Sequence, residues 1–234
     1  MLAVILSYHS FFEFLPLQLQ NLKTHIKVPF KIYLIDNSLI STVKYSAPEI
    51  TYLFCKENGS PSQRHQAAVN LGLSAAWGSC DSFLIFDNDM IFLDDYKPPA
   101  RTHYLAQQRG EIQYAWLNLL FFKKDERLRA FDFAVCPKTG QRTDSGGSFY
   151  SYLLDGDPVM PIHTLQDKGY FPDFTERYKA LCAKYKVLMW YDIFELNHAK
   201  IFHFRALSNW TNYPAAFQEE KNQLILRSVA VLQN

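Results

Sequence analysis

Four short apolar runs, "LAVILSY" (2–8), "KIYLIDN" (31–37), "ITYLFC" (50–55) and "SFLIFD" (82–87), dominate the first part of the chain, with helical patterning at 11–26 and 62–77 among them. Runs this short and this apolar predict strands buried on both faces, and the helices among them predict parallel crossovers. The fold class that follows is α/β: a Rossmann-like, mixed but mostly parallel central sheet flanked by helices. Each run leads into polar residues, namely Ser7-Tyr8-His9, Asp36-Asn37-Ser38, Asn58-Gly59-Ser60 and Asp87-Asn88-Asp89. In an open sheet such ends gather on the carboxyl edge, where ligands bind.

The later part is less regular. Strands are expected at 113–121 and 130–135, then a Gly-Gly turn opening a helix at about 146–154 and a loop of Asp, Gly and Pro. A helix near 174–184 and the strands "KVLMWYD" (186–192) and "KIFHF" (200–204) follow. The tail 215–232 carries Phe217, Leu224, Ile225 and Val229 near helical spacing, which predicts a helix packed across the sheet. With 234 residues, 48% of them hydrophobic, one domain with a large core is expected, its two halves meeting near residue 95.

Charge narrows the partners. Lys and Arg number 24 against 23 acidic residues, for a net charge of +1 with no basic run, so nucleic acid is not an expected partner. Cys55, Cys80, Cys136 and Cys182 are scattered without a CxxC pair, which predicts buried free thiols in a reducing compartment, the cytosol. The apolar start "MLAVILSYHSFFEFL" lacks a basic n-region and carries Ser7, His9, Ser10 and Glu13, so it reads as a first strand rather than a leader. No window reaches the roughly 18 uncharged apolar residues of a membrane span.

In "FLIFDNDMIFL" (83–93), two aspartates one residue apart interrupt an apolar run. Ionised carboxylates are costly there unless a cation meets them. Carboxylates at i and i+2 past a buried strand suit a hard divalent ion whose other positions are filled by phosphate oxygens and water. The plainer alternative is a pair of turn aspartates capping the next segment.

With these residues the chain resembles the glycosyltransferases of the GT-A fold. In that family a DxD after the fourth strand holds Mn²⁺ or Mg²⁺ on the diphosphate of a nucleotide sugar, which implies Asp87 and Asp89 as metal ligands with Asn88 between them. "SYH" and "DNS" resemble the nucleotide-binding edge, implying contacts from Ser7, Tyr8, His9, Asp36 and Asn37, with Asp36 on the base. "ENGSPSQRHQAAVNLGL" (57–73) resembles the segment that opens with Asn and Gly and closes with Asn-x-Gly, matched by Asn58, Gly59, Asn70 and Gly72. Where the family often has Arg before the second Asn this chain has Val69, and Arg64 comes earlier as the phosphate or sugar contact. "IFHFRALSNW" (201–210) resembles the late His segment and implies His203 as a further metal ligand, a nitrogen donor that favours Mn²⁺. The ordinary reading of His203 is a core histidine.

Sugar transfer also calls for a group that activates the acceptor hydroxyl. Asp173 matches the second position of an acidic pair found ahead of a helix in inverting relatives, with Pro172 at the first. Asp173 and Glu176 equally fit a capping box. Asp144 in "TDSGGSF" resembles the acceptor-side turn and equally fits a helix N-cap. Asp155 and Asp157 stand third, and Trp190, Tyr191, Trp210 and Tyr213 offer rings to a pyranose face.

The resemblance implies metal-dependent transfer from a nucleoside diphosphate sugar, UDP-linked, to a hydroxyl of a glycan or glycoconjugate. The 1–95 half then binds the nucleotide sugar and the 96–234 half the acceptor. A sugar-phosphate nucleotidyltransferase shares the fold and metal chemistry, but "SYHSFFEF" stands where its glycine-rich basic loop belongs. A haloacid-dehalogenase-like phosphatase uses DxD as nucleophile and acid on an early strand, whereas three strands precede it here. A sugar-binding module without catalysis is the third alternative.

Overall fold

The computed structural model describes residues 1–9, 12–38, 47–148, 156–159, 172–187, 192–204 and 213–232, and for Pro158, Pro172, Asp173, Asp192 and Leu232 the backbone alone. In chain order the elements are β1 (Leu2–Tyr8), α1 (Leu15–His25), β2 (Phe30–Asp36), β3 (Ile50–Phe54), α2 (Pro61–Ala76), β4 (Ser82–Asp87) and β5 (Met90–Phe92). They continue with β6 (His103–Arg109), β7 (Ile112–Lys123), β8 (Asp157–Val159), α3 (Pro172–Tyr185), β9 (Asp192–Leu196), β10 (Ala199–His203) and α4 (Ala215–Leu232). Among the described residues no helix is long and apolar enough to cross a membrane.

Two units interleave along the chain. The first comprises Met1–His9, Val28–Asp87 and Lys97–Met160, and the second Ser10–Lys27, Asn88–Tyr96 and Pro161–Asn234. They are not consecutive halves: residue 95 lies inside a segment of the second unit.

The first unit is a seven-stranded sheet in the order β3-β2-β1-β4-β7-β6-β8. The pairs β3–β2, β2–β1, β1–β4 and β6–β8 are parallel, and β7 runs against both its neighbours. All seven residues of β1 are buried, as expected of a central parallel strand. Helix α2 packs on β1 and β2. Its approach depends on Gly72, where a Cβ would meet Ile35 Cδ1 at 2.7 Å and Ile5 Cγ2 at 2.8 Å. Ala68, Val69 and Leu73 join Ile5, Ile35, Phe83, Leu117 and Phe122 in one core. A capping box starts α2: Ser60 Oγ accepts from Gln63 N–H, and Gln63 Oε1 accepts from Ser60 N–H at 2.9 Å, with Pro61 at the first turn.

The second unit has a three-stranded antiparallel sheet, β5-β10-β9. Helix α1 covers the β5 edge with buried amides. Gln18 donates to the Met90 carbonyl at 2.7 Å, and Asn21 both donates to the Phe92 carbonyl and accepts from its N–H, each at 2.8 Å. Phe174 and Tyr178 of α3, Phe202 of β10 and Phe217, Ile225 and Val229 of α4 share the core of this unit.

Several expectations are corrected. Residues 130–135 form no strand. Ala134 and Thr143 exchange hydrogen bonds, and Val135 bridges Arg142 while 61% exposed, so the alternating pattern serves a loop pair. Strands β6 and β8 were not expected, because β6 ends in "AQQR" and β8 has three residues. Of the strand expected at 186–192, Lys186 and Val187 lie in no strand, residues 188–191 lie outside the described residues, and Asp192 belongs to β9. Helix α4 packs with α3 and α1. Of the helix expected at 146–154, only the opening turn lies within the described residues.

Candidate functional site

Strand register places the expected edge residues of the first unit in a row. Tyr8 pairs with Asp36 and Asp36 with Phe54, while Ser7 pairs with Asp87. The sheet order reverses between β1 and β4, so Ser7 and Asp87 flank the topological switch point where open α/β sheets bind ligands. Asp87 accepts a hydrogen bond from Asn118 Nδ2 on β7. Asn118 was not among the expected residues, although a lone amide within "WLNLLFF" is the signal that marks it.

Asp36 is fully buried and already engaged: it accepts from Ser38 N–H at 3.0 Å, Ser38 Oγ at 2.5 Å and Tyr52 Oη at 2.7 Å. Beside it, Asn37 donates its backbone N–H to the Tyr8 carbonyl at 2.6 Å and its Nδ2 to Ser7 Oγ at 3.4 Å. Its Oδ1 is buried without a hydrogen-bond donor among the described residues. The Tyr8 side chain is enclosed in the core.

After β3 the loop leads through exposed Asn58 to the N-terminus of α2, with Arg64 at the end of the first turn and His65 next to it. His65 Nε2 lies 3.4 Å from the Leu117 carbonyl. Burial, then the charges of Arg64 and His65, lower the His9 pKa to about 4 against the pull of Asp36. The helix N-terminus, with the Arg64 guanidinium near it, suits an anion. Asn70 serves the scaffold instead: it donates to the Phe131 carbonyl and accepts from its N–H, each at 2.9 Å.

In the second unit the β5–β10 ladder pairs Met90 with His203, and Phe204 N–H donates to the Asp89 carbonyl at 2.8 Å. This register brings Asp89 Oδ1 to 3.1 Å from His203 Nε2, both side chains being almost wholly buried. Asp89 Oδ1 has no aligned hydrogen-bond donor among the described residues. A carboxylate oxygen and an imidazole nitrogen thus meet in a buried position. Among the described residues no group of three or more His, Cys, Asp or Glu side chains is gathered to hold a metal. Asn88, between the two aspartates, is buried. Lys221 of α4 is also buried; desolvation lowers its pKa to about 8, and the Asp89 charge opposes that shift.

The two candidate bases belong to different units. Asp144 Oδ1 accepts from Ser145 N–H at 2.7 Å, and its own N–H donates to Tyr114 Oη at 3.2 Å. The glycines after it are needed by the protein itself: Gly146 has φ +89°, and a Cβ there would lie 2.3 Å from the Ala115 carbonyl oxygen. Ala115 lies three residues before Asn118 on β7, about 10 Å beyond it along the strand, so the Asp144 turn packs on the part of the β6–β7 hairpin that projects past the end of β4. Asp173 is the second residue of α3, inside the first turn rather than at the N-cap, and Glu176 pairs with Lys179 at 3.1 Å. Asp157 starts β8 and lies 3.4 Å from His103. Tyr213 packs on Phe217, while Asp155, Trp190, Tyr191 and Trp210 lie outside the described residues.

No protein-family model matches the chain, and a search of curated proteins finds no match.

Proposed function

We propose that the protein is a GT-A glycosyltransferase that moves a sugar from a nucleoside diphosphate sugar, UDP-linked, to a hydroxyl of a glycan or glycoconjugate. The observation that carries this reading is the convergence of Asp89 Oδ1 and His203 Nε2 at 3.1 Å, two residues along the chain from an aspartate at the sheet's switch point. Asp89 and His203 would hold Mn²⁺, or Mg²⁺ in its place, and the ion when bound supplies a Lewis acid for charge on the departing diphosphate. Ser7, Asp36 and Asn37 line the edge that receives the nucleoside, where the buried Asn37 Oδ1 suits an N–H of the base. Arg64 and the N-terminus of α2 suit phosphate oxygens, with Asn58 on the loop before them. Asp144 or Asp173 would take the proton of the acceptor hydroxyl. Four buried free thiols accord with a reducing compartment such as the cytosol.

The test is incubation with a panel of nucleotide sugars and Mn²⁺, scoring release of free nucleotide. Release from a UDP-sugar that stops on chelation is the expected result. Pyrophosphate formation from a sugar phosphate and a nucleoside triphosphate would instead identify a nucleotidyltransferase. Inorganic phosphate from a phosphomonoester would identify a phosphatase.

A further inference from the structure

The turn at 143–148 is fixed residue by residue within the first unit. Thr143 N–H donates to the Ala134 carbonyl at 2.9 Å, and Ser148 N–H to the Asp132 carbonyl at 2.8 Å. Between them Gly147 N–H reaches back to the Asp144 carbonyl at 3.2 Å, and Gly146 lies against the Ala115 carbonyl with no room for a side chain. Asp144 is held at its N–H, which donates to Tyr114 Oη at 3.2 Å, and at Oδ1, which accepts from Ser145 N–H at 2.7 Å. Its Oδ2 makes no hydrogen bond among the described residues, and the residue is only half-buried. A carboxylate with one oxygen pinned and the other unused is an oriented proton acceptor.

Tyr114 reaches this turn from β7. Its ring is fully buried beside Ile112 and Cys136, and its hydroxyl donates to Gln107 Oε1, on the paired residue of β6, at 2.7 Å. A hydroxyl has one proton, so with that proton committed to Gln107 the oxygen turns a lone pair to Asp144 N–H. A chain of contacts thus runs from the paired strands of the hairpin to the aspartate. We propose that Tyr114 is a positioning residue for proton transfer, holding the Asp144 carboxylate so that Oδ2 faces the acceptor hydroxyl. In that step the acceptor oxygen bonds the anomeric carbon, its proton passes to Asp144, and the nucleoside diphosphate leaves with the electron pair of the broken carbon–oxygen bond. The proposal rests on the glycosyltransferase reading above and gives to Asp144 the role left open there between Asp144 and Asp173.

Release of UDP from the most active UDP-sugar of the panel, and UDP affinity by calorimetry, are measured for the wild type, Tyr114→Phe, Asp144→Asn and the double variant. Tyr114→Phe keeps the buried ring and removes only the hydroxyl, so kcat should fall by about 10–100-fold with UDP affinity unchanged. The double variant should be no slower than Asp144→Asn alone, because the tyrosine acts only through that carboxylate. If Tyr114→Phe does not fold, Gln107→Leu, at a half-buried position, removes the acceptor that orients the hydroxyl and should cost roughly three- to tenfold in kcat, again with nothing lost beyond Asp144→Asn. Unchanged kcat in these variants, losses that multiply in the double variant, or near-normal turnover of Asp144→Asn would each overturn the inference while leaving the glycosyltransferase reading intact. Absence of nucleotide release from every UDP-sugar by the folded wild type would overturn both.

Discussion

His9 follows β1 with its ring largely withdrawn from water, and its pKa of about 4 lies below the ordinary value of 6.5. Between those values the unfolded chain binds more protons, so stability from this group is complete above pH 6.5 and is lost as pH falls toward 4. The loss is at most roughly 3 kcal/mol, and His9→Gln should flatten a plot of unfolding free energy against pH over that window. For the base, Asn is the informative replacement, since it keeps an acceptor oxygen but takes no proton at neutral pH. Asp144→Asn retains an acceptor for Ser145 N–H, so its melting temperature should hold. If Asp144 is the base, turnover should drop by about 10²–10⁴. The same measurement on Asp173→Asn decides between them, and near-normal turnover in both would point to a retaining mechanism in which the leaving phosphate takes the proton. At this scale the apolar runs and their polar ends were legible, because type and spacing carry that signal. Asn118 was legible only as an oddity, one amide in an apolar strand. What it meets, Asp87, depends on the register of β4 with β7, which one sequence does not supply.

Among the elements, β5 positions Asp89 through main-chain pairing, and that short strand is held at its edge by side-chain amides of α1. Asn21→Ala leaves both the N–H and the carbonyl of Phe92 without their partner. Unsatisfied buried groups of this kind cost about 2–4 kcal/mol together. Chemical denaturation should show that loss, and UDP affinity in Mn²⁺ should fall as β5 loosens. The parallel strands β1 to β4 could be read from the sequence because burial on both faces leaves an unbroken apolar run. Strand β6 could not, since its polar end belongs to a hairpin projecting beyond the sheet. The 130–135 segment misled because side chains alternate in any extended backbone, including a loop bridged once to another loop.

For the whole molecule, the interleaved units place Asp87 at the end of one segment and Asn88 at the start of the next, so the DxD spans a boundary between units along the chain. Binding of the proposed ligand should register in stability. At 100 times its Kd a ligand adds about 2.7 kcal/mol, which for a chain of this size raises Tm by roughly 5–10 °C. UDP with Mn²⁺ should produce such a rise, and a chelator should remove it. The α/β class was legible at this scale from the order of apolar runs. The interleaving was not, because it depends on long-range pairing of β5 with β10 rather than on any local pattern. The most direct test of the account is calorimetric titration of UDP into wild type and Asp89→Asn, with and without Mn²⁺. The wild type should bind UDP in a Mn²⁺-dependent manner and the variant should lose that dependence while remaining folded; equal Mn²⁺-dependent binding by both would contradict the assignment of Asp89 to the metal.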